Sequence, residues 1–145
     1  MFLRFIDTIL NRGIVQAHCD IPCGIYTTHR AGIAAETVEK MVKGIVEAEG
    51  DMHAIARLTA TKEEWAQICK EELLILWTDY FKEEHLATFP DLHTTFWKAT
   101  KLCSQNKREV SEEAAKELRD AVGAISAMFA EAEGEKAKTY RSEWL

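Results

Sequence analysis

The stretch SEEAAKELRDAVGAISAMF, residues 111–129, decides the fold class of this chain. Apolar side chains recur in it every three or four positions, at Leu118, Val122, Ile125 and Phe129. Such positions share one face of an α-helix. Ser111 is suited to cap the helix, and Glu112 and Glu113 follow in the first turn, where the helix dipole favours negative charge. The stretch therefore predicts an amphipathic helix with one buried side.

Three stretches upstream repeat this period. The first is ended by Gly50, the second begins near Asp51 and reaches about Phe81, and the third starts after Pro90. The apolar faces of the first and third are formed by Val38, Met41, Val42 and Ile45, and by Leu92, Phe96, Ala99 and Leu102. Within the second stretch, Thr61-Lys62-Glu63-Glu64 has the capping-box pattern, which allows a break in the helix near Thr61.

Four amphipathic helices with short connections predict an all-α fold, an antiparallel four-helix bundle over residues 33–133. One turn departs from the amphipathic pattern, because Leu73-Leu74-Ile75-Leu76-Trp77 is apolar on every side of its helix. We expect this turn to be surrounded, either by the bundle or by another subunit.

Length and charge limit the class of protein. A chain of 145 residues suits one domain with a full-sized core. The net charge of −6 argues against a nucleic-acid partner, which requires a basic face to neutralise phosphates. No run of about 18 apolar residues is present, so we expect no transmembrane helix and no membrane partner.

The four cysteines do not form a disulfide framework. Cys19 and Cys23 lie close together, whereas Cys69 and Cys103 stand alone in helical patterns and are expected to be buried core thiols. In a chain with a full-sized core this placement favours metal ligation or a reducing compartment. We therefore expect a cytoplasmic protein.

Residues 1–17 are interpreted separately from the rest of the chain. Val15-Gln16-Ala17 has the small-residue character of a signal-peptidase site, but Arg4, Asp7 and Arg12 interrupt the apolar core that a secretory signal requires. We interpret residues 1–17 as a short pro-segment and residues 18–145 as the mature domain.

The residues suited to chemistry lie in one segment, His18-Cys19-Asp20-Ile21-Pro22-Cys23-Gly24-Ile25-Tyr26. It combines two thiols, a neighbouring histidine and a Pro-Cys-Gly turn, a set that chance rarely produces. Taken alone, these residues also fit a structural zinc half-site or a local redox pair. A zinc site needs two further ligands, and the sequence has no C-x-x-C pair and no H-x-x-x-H to supply them. No histidine stands three residues after a glutamate, which excludes a di-iron carboxylate bundle.

The segment resembles the nickel hook of the nickel-dependent superoxide dismutases, whose signature is His-Cys-x-x-Pro-Cys-Gly-x-Tyr. A second block, Trp77-Thr78-Asp79-Tyr80-Phe81-Lys82, followed by His85 and by Phe89-Pro90-Asp91-Leu92-His93, resembles the second and third helices of the same family. The resemblance covers about residues 18–101 and fades in the fourth helix.

The resemblance implies a nickel cofactor, one ion per subunit, with His18, Cys19 and Cys23 as the metal-ligating residues. The two thiolates and the Cys19 backbone amide would be donors, together with the amine and imidazole of His18. Such electron-rich donors suit a nickel ion that alternates between Ni(II) and Ni(III). Because the His18 amine is free only at an N-terminus, the resemblance also implies cleavage after Ala17 by a maturation protease.

The resemblance further implies that Tyr26 and Tyr80 line the open face of the metal. They would hydrogen-bond a bound anion or water rather than ligate nickel. Asp20, Asp79 and Lys82 resemble nearby polar residues of the family, although each also fits a simple surface charge.

One departure from the family concerns the axial imidazole. Relatives orient it with a first-helix carboxylate and a second-helix arginine, and those positions fall on Ala34 and Trp65 here. Since such partners fix ligand orientation, we expect a rearranged surrounding of the imidazole, with Glu36 or Arg57 as possible substitutes.

Two functions follow. The first is a superoxide dismutase, a homohexamer of four-helix subunits that converts two superoxide anions to O2 and H2O2 by Ni(III)/Ni(II) ping-pong cycling, as the resemblance implies. The alternative is a non-catalytic helical nickel-binding carrier or sensor, which the missing carboxylate and arginine favour. The tyrosines and the removable leader favour the enzyme.

Overall fold

The computed structural model describes residues 25–134, and all regular structure in that range is helical. Its four α-helices are α1 (His29–Glu47), α2 (Met52–Ile75), α3 (Leu92–Arg108) and α4 (Glu112–Glu133). A π-helical turn (Leu76–Tyr80) and a 3₁₀ helix (Glu83–Ala87) connect α2 to α3. The prediction of an all-α fold is confirmed, with α1 starting slightly before residue 33.

The helices begin where the sequence predicts. The Asp51 carboxylate accepts hydrogen bonds from the backbone N–H groups of His53 and Ala54, at 3.0 and 3.1 Å. The Ser111 hydroxyl accepts one from the backbone N–H of Ala114 at 3.2 Å. Both side chains satisfy donors that a helix start leaves without an intrahelical partner.

The break that the sequence allowed near Thr61 does not occur. α2 runs through this position, and the Thr61 hydroxyl donates to the carbonyl of Arg57 at 3.0 Å. A hydroxyl that donates to a carbonyl of the preceding turn belongs to a continuing helix, whereas a capping hydroxyl accepts from the N–H groups of a new one. The capping-box pattern is therefore unused here.

The four helices close into a ring of neighbours. α1 packs on α2 and α4, and α3 packs on the same two helices, which is the arrangement of an antiparallel bundle. Ala31, Ala34 and Ala35 are fully buried on α1. Small side chains at these positions let α1 approach its neighbours closely. The approach is similarly tight at Gly44, where an added Cβ would lie 3.3 Å from the methyl groups of Leu58 on α2.

The apolar turn at residues 73–77 is mostly covered by the bundle. Leu73 and Leu76 are buried, and the Trp77 ring stacks on Phe96 with centroids 5.9 Å apart. Leu74 keeps 37% of its surface exposed. The bundle therefore buries Leu73 and Leu76, whereas Ile75 and Trp77 are partly exposed and Leu74 lies at the surface.

No helix between residues 25 and 134 combines the length and apolarity needed to cross a membrane.

Candidate active site

The predicted nickel ligands His18, Cys19 and Cys23 lie outside residues 25–134, as does Asp20. The described part of the site starts at Ile25 and Tyr26, the last two residues of the hook segment. From there the chain enters α1 at His29. Thr28, just before the helix, is buried and hydrogen-bonds Ser126 of α4 through their hydroxyls at 2.7 Å. The segment between the hook and α1 is thus held against the bundle at Thr28.

The two tyrosines that the sequence selects lie side by side. The rings of Tyr26 and Tyr80 have centroids 5.5 Å apart and an interplanar angle of 57°. Tyr26 precedes α1, and Tyr80 is the last residue of the π turn. Both are partly buried and pack against the core. Two phenols from distant parts of the sequence therefore meet at the last residue of the hook segment.

The π turn determines where Tyr80 lies. The backbone N–H of Phe81 donates to the carbonyl of Leu76 at 3.0 Å, a bond that spans five residues instead of four. The wider turn includes one more residue before the chain leaves the helix, which rotates the last side chain relative to α2. Such single turns occur often at functional sites. Sequence periodicity did not predict it, because one additional residue leaves no local signature.

Aromatic rings hold Tyr80 on several sides. Its ring centroid lies 4.6 Å from Phe129 of α4 and 4.9 Å from the neighbouring Phe81. The His85 imidazole stacks over it at 5.9 Å with an interplanar angle of 11°. His85 is fixed in turn, because its Nδ1 accepts the backbone N–H of Lys82 at 2.9 Å. Contacts from three elements thus restrict the position of the phenol.

The Tyr80 hydroxyl is kept protonated. Burial raises the pKa of Tyr80 well above its ordinary value, and the Glu133 carboxylate, which accepts its hydrogen bond, raises the pKa further. Tyr80 is therefore a neutral phenol throughout the physiological range. Sequence reasoning missed Glu133, although its position four residues after Phe129 puts it on the same face of α4.

A cleft of about 310 Å³ opens beside Tyr26. Its lining is Ile25, Tyr26, Thr27, Arg30, Glu72, Ile75 and Leu76. The guanidinium of Arg30 and the carboxylate of Glu72 form an ion pair across it at 3.1 Å, joining α1 to α2. The Arg30 side chain is 63% exposed, so water screens this pair.

The polar residues of the second block differ in their contacts. Asp79 is partly buried, and its carboxylate accepts the Thr78 hydroxyl at 3.0 Å. Lys82 is exposed at the start of the 3₁₀ helix. The structure thus leaves the Lys82 ammonium in solvent, near the stacked pair of His85 and Tyr80.

The two residues that depart from the family pattern both pack in the bundle. Ala34 is fully buried in the core, and Trp65 packs against the core from α2. Glu36 and Arg57, the two suggested substitutes, are both exposed and do not line the cleft.

Cys69 and Cys103 are fully buried free thiols, as predicted. Cys69 donates to the carbonyl of Ala31 at 3.7 Å. A hydrogen bond with Cys103, followed by burial, raises the pKa of Cys69, so the thiol stays protonated. Residues 25–134 contain no group of three or more His, Cys, Asp or Glu side chains that could hold a metal ion.

Comparison with a family model identifies what this arrangement resembles. The model of the nickel-containing superoxide dismutases matches residues 13–133, a range that includes the hook and both tyrosines.

Individual relatives agree with the family model. "Superoxide dismutase [Ni]" of Streptomyces seoulensis is 37% identical over 115 residues, covering 79% of this chain and 87% of the relative. The protein of the same name from Streptomyces coelicolor is 35% identical over the same shares. A native nickel superoxide dismutase structure superimposes with a TM-score of 0.76 at 32% identity, covering 81% of this chain and all of that one. A crystal structure with nickel ligation of the oxidised state has the same TM-score at 34% identity, covering 80% and 98%.

Proposed function

Because this chain belongs to the family of nickel-containing superoxide dismutases, we propose that its nickel is held by His18, Cys19 and Cys23, with Tyr26 and Tyr80 facing the metal. The chain is an oxidoreductase that converts two superoxide anions to O2 and H2O2 with a nickel cofactor. The observation that supports it best is the family match over residues 13–133.

The donor set of the hook fits nickel. Two cysteine thiolates with nitrogen donors from His18 form the mixed sulfur and nitrogen environment that suits square-planar Ni(II). When bound, the nickel supplies the one-electron redox chemistry by alternating between Ni(III) and Ni(II). The bundle supplies no competing cluster of ligands within residues 25–134.

The two phenols control access to the metal in this proposal. Tyr26 is the last residue of the hook, and its ring contact with Tyr80 would close one side of the approach to the metal. Superoxide is small and anionic, so a narrow opening bounded by hydroxyl groups admits it and excludes larger molecules. The raised pKa of Tyr80 keeps that hydroxyl uncharged, and an uncharged wall does not repel an anion.

We further propose that residues 1–17 are a pro-segment and that a protease cleaves between Ala17 and His18. In the full chain the His18 nitrogen is an amide bonded to Ala17, so it is not a free amine. A chain that begins at His18 should bind one nickel ion and dismutate superoxide, whereas the full chain of 145 residues should be inactive. Full activity in the uncleaved chain would overturn the role of the His18 amine.

A nickel carrier or sensor is the second candidate. Ala34 and Trp65 favour it, because they would leave the His18 imidazole without the carboxylate and arginine that the family resemblance implies. Stopped-flow decay of superoxide with the nickel-loaded chain starting at His18 separates the two. If superoxide decays no faster with the nickel-saturated protein than in buffer alone, the carrier is favoured.

We also propose that the subunits form a homohexamer in the cytoplasm. Leu74 is exposed within the apolar turn 73–77, which supports a subunit contact there. The free thiols of Cys69 and Cys103 suit a reducing compartment. Sedimentation equilibrium of the nickel-loaded protein measures the number of subunits, and a Leu74→Glu variant should dissociate the assembly if Leu74 lies in a contact.

A further inference from the structure

His85 stacks on the ring of Tyr80. The two ring centroids lie 5.9 Å apart and the ring planes are 11° from parallel, which is within the range of a favourable aromatic pair. Tyr80 also contacts Phe81 edge-on and Phe129 at a tilt of 47°, and both of those rings are buried in the core. His85, in contrast, is partly buried and lies on the 3₁₀ helix between α2 and α3. The phenol is therefore held by core rings and by a polar ring from outside the four α-helices.

Hydrogen bonds hold His85 itself in place. Its Nδ1 atom accepts the backbone N–H of Lys82 at 2.9 Å, and its own backbone N–H donates to the Lys82 carbonyl at 3.0 Å. The second side-chain torsion of a histidine is broad when nothing constrains it, so the bond at Nδ1 sets the plane of the ring. The ring also meets Phe81 edge-on, with centroids 5.5 Å apart. His85 thus presents a fixed ring face to Tyr80.

We propose that His85 is a positioning residue for superoxide dismutation: its imidazole, fixed by the Lys82 backbone, holds the Tyr80 phenol with its hydroxyl at the nickel. The proposal rests on the proposed placement of Tyr80 beside the metal. It gives a role to His85, a residue that the family resemblance includes without assigning it one.

The orientation of the phenol decides what it can do at the metal. The hydroxyl lies at the far end of the Tyr80 ring, so a change of the first side-chain torsion carries it to another place. A hydrogen bond weakens steeply once its angle falls below about 120°, so the hydroxyl can serve a bound anion or water only from a narrow range of positions. A group that is in place before the anion arrives needs no reorganisation. A ring that keeps the phenol in one orientation therefore contributes to the reaction without touching the substrate.

His93 provides a matched comparison within the same part of the chain. Its Nδ1 atom also accepts an N–H at 2.9 Å, from the indole of Trp77, and its ring lies 6.1 Å from the Trp77 ring. Both histidines thus accept a hydrogen bond through the same ring nitrogen and lie beside an aromatic ring. They differ in the ring that they contact, which is Tyr80 for His85 and Trp77 for His93.

The test uses the nickel-loaded chain that starts at His18 and the variants His85→Asn and His93→Asn. Asparagine can place its carbonyl oxygen where Nδ1 lies, so each variant keeps the acceptor and removes the ring. Azide is the anionic probe, and its inhibition constant is measured together with turnover. In His85→Asn we expect both to change in the same direction as in Tyr80→Phe, the inhibition constant by about twofold to tenfold, which is the range that a lost ring contact allows. In His93→Asn both should stay at the wild-type values.

A second variant separates positioning of Tyr80 from a merely structural role of His85. His85→Phe keeps a ring against the phenol and removes the acceptor for the Lys82 N–H. If the ring contact is what matters, turnover and azide inhibition in His85→Phe should lie closer to wild type than those in His85→Asn. A structural role of the hydrogen bond predicts the reverse order, because asparagine keeps that bond and phenylalanine does not.

A double-mutant cycle shows whether His85 acts through the Tyr80 hydroxyl. In the Tyr80→Phe background, His85→Asn should add no further change, because the hydroxyl that it positions is already absent. If His85→Asn fails to fold, His85→Ala removes the ring in its place, since water can bond the exposed Lys82 N–H.

The outcomes are distinguishable. Equal values in the ring-deleted His85 variant and His93→Asn, or additive effects of His85 and Tyr80, would overturn the proposal and leave the placement of Tyr80 intact. Wild-type turnover and azide inhibition in Tyr80→Phe would overturn the placement of Tyr80 at the nickel, and the role of His85 with it. The dismutase activity itself would stand in either case.

Discussion

The rings of Tyr26 and Tyr80 meet at 5.5 Å although one residue precedes α1 and the other ends the π turn after α2. Their contact requires that α1 and α2 are packed together, because neither residue is near the other in the sequence. The gate that they form in our proposal is therefore a product of the folded bundle. The hook alone cannot supply it.

Removal of the two hydroxyls tests the gate. Tyr26→Phe and Tyr80→Phe keep the rings that pack against the core, so nickel content should remain at the wild-type level. Turnover or inhibition by small anions should change, because hydrogen bonds next to the metal are lost. Nickel content by atomic absorption and superoxide decay by stopped flow check this, and loss of nickel in either variant would show that the phenols have another role.

The four cysteines should separate into two classes. Cys19→Ser and Cys23→Ser should abolish activity, since oxygen donors cannot replace thiolates in stabilising Ni(III). Cys69→Ser and Cys103→Ser place a hydroxyl in the fully buried core, at a cost of about 1–3 kcal/mol in stability, and should leave nickel content unchanged. A requirement for either core cysteine in nickel binding would contradict the hook as the metal site.

Lys82 is the candidate for local steering of superoxide. The chain carries a net charge of −6, so attraction of an anion must come from nearby cations. Lys82 is exposed, and its backbone N–H is bonded to His85, which stacks on Tyr80. Lys82→Ala should lower turnover more at low salt than at 0.1 M salt or above, where the Debye length is roughly 10 Å or less.

Lys116 provides the control for steering. It is exposed at the start of α4, whereas Phe129, which contacts Tyr80, lies near the other end of that helix. Lys116→Ala removes the same charge and should leave the salt dependence of turnover as in wild type. Parallel curves of turnover against ionic strength for wild type and Lys82→Ala would remove Lys82 from the mechanism.

The helix starts and the burial of the core cysteines could be predicted from the sequence, because both depend on local patterns. Asp51 and Ser111 start helices as predicted, because capping depends on a side chain and the next few backbone N–H groups. Cys69 is buried as predicted, because it lies on the apolar face of an amphipathic helix. Tyr80 was selected by family resemblance, and only the structure shows what surrounds it.

Other features depend on tertiary contacts that no local pattern encodes. Taken alone, the pattern at Thr61 suits a helix cap as well as a helix interior, but α2 is continuous there. The π turn adds one residue to the end of α2, which no sequence pattern indicates. From the sequence alone Glu133 would be interpreted as a surface charge, whereas the fold brings it near Tyr80. Lys62 is the clearest example of a feature that the sequence does not predict: lysine is rarely buried in a core, yet this side chain is 1% exposed.

The raised pKa of Tyr80 predicts a loss of stability in alkali. The unfolded chain ionises Tyr80 near its ordinary pKa of about 10, whereas the folded chain keeps it protonated. The contribution of Tyr80 to stability is therefore fully present below pH about 10 and is lost as the pH rises towards the folded pKa. Urea unfolding of the metal-free protein between pH 9 and 11 should show a steeper decline in wild type than in Tyr80→Phe. Equal slopes would mean that Tyr80 ionises normally.

Lys62 predicts a large stability effect far from the hook. Its Nζ donates to the backbone carbonyls of Asn106, Lys107 and Glu109, the last at 2.9 Å. Three acceptors require three N–H donors, which only the charged ammonium has. Burial lowers the pKa of Lys62, with the Glu63 carboxylate opposing, so the ammonium depends on these carbonyls in place of water. The charge thereby caps the C-terminal end of α3, where the helix dipole is negative.

Lys62→Met tests this cap because methionine matches the length of the stem without the donors. The carbonyls at the end of α3 then lose their partner, and we expect a loss of roughly 2–4 kcal/mol in the free energy of unfolding. Lys70→Met is the matched control: Lys70 also reaches from α2 to α3, but it makes one hydrogen bond, to the Ser104 hydroxyl at 3.0 Å. That variant should lose about 1 kcal/mol or less. Urea unfolding of the metal-free proteins measures both, and equal losses would show that the Lys62 ammonium does not stabilise the end of α3.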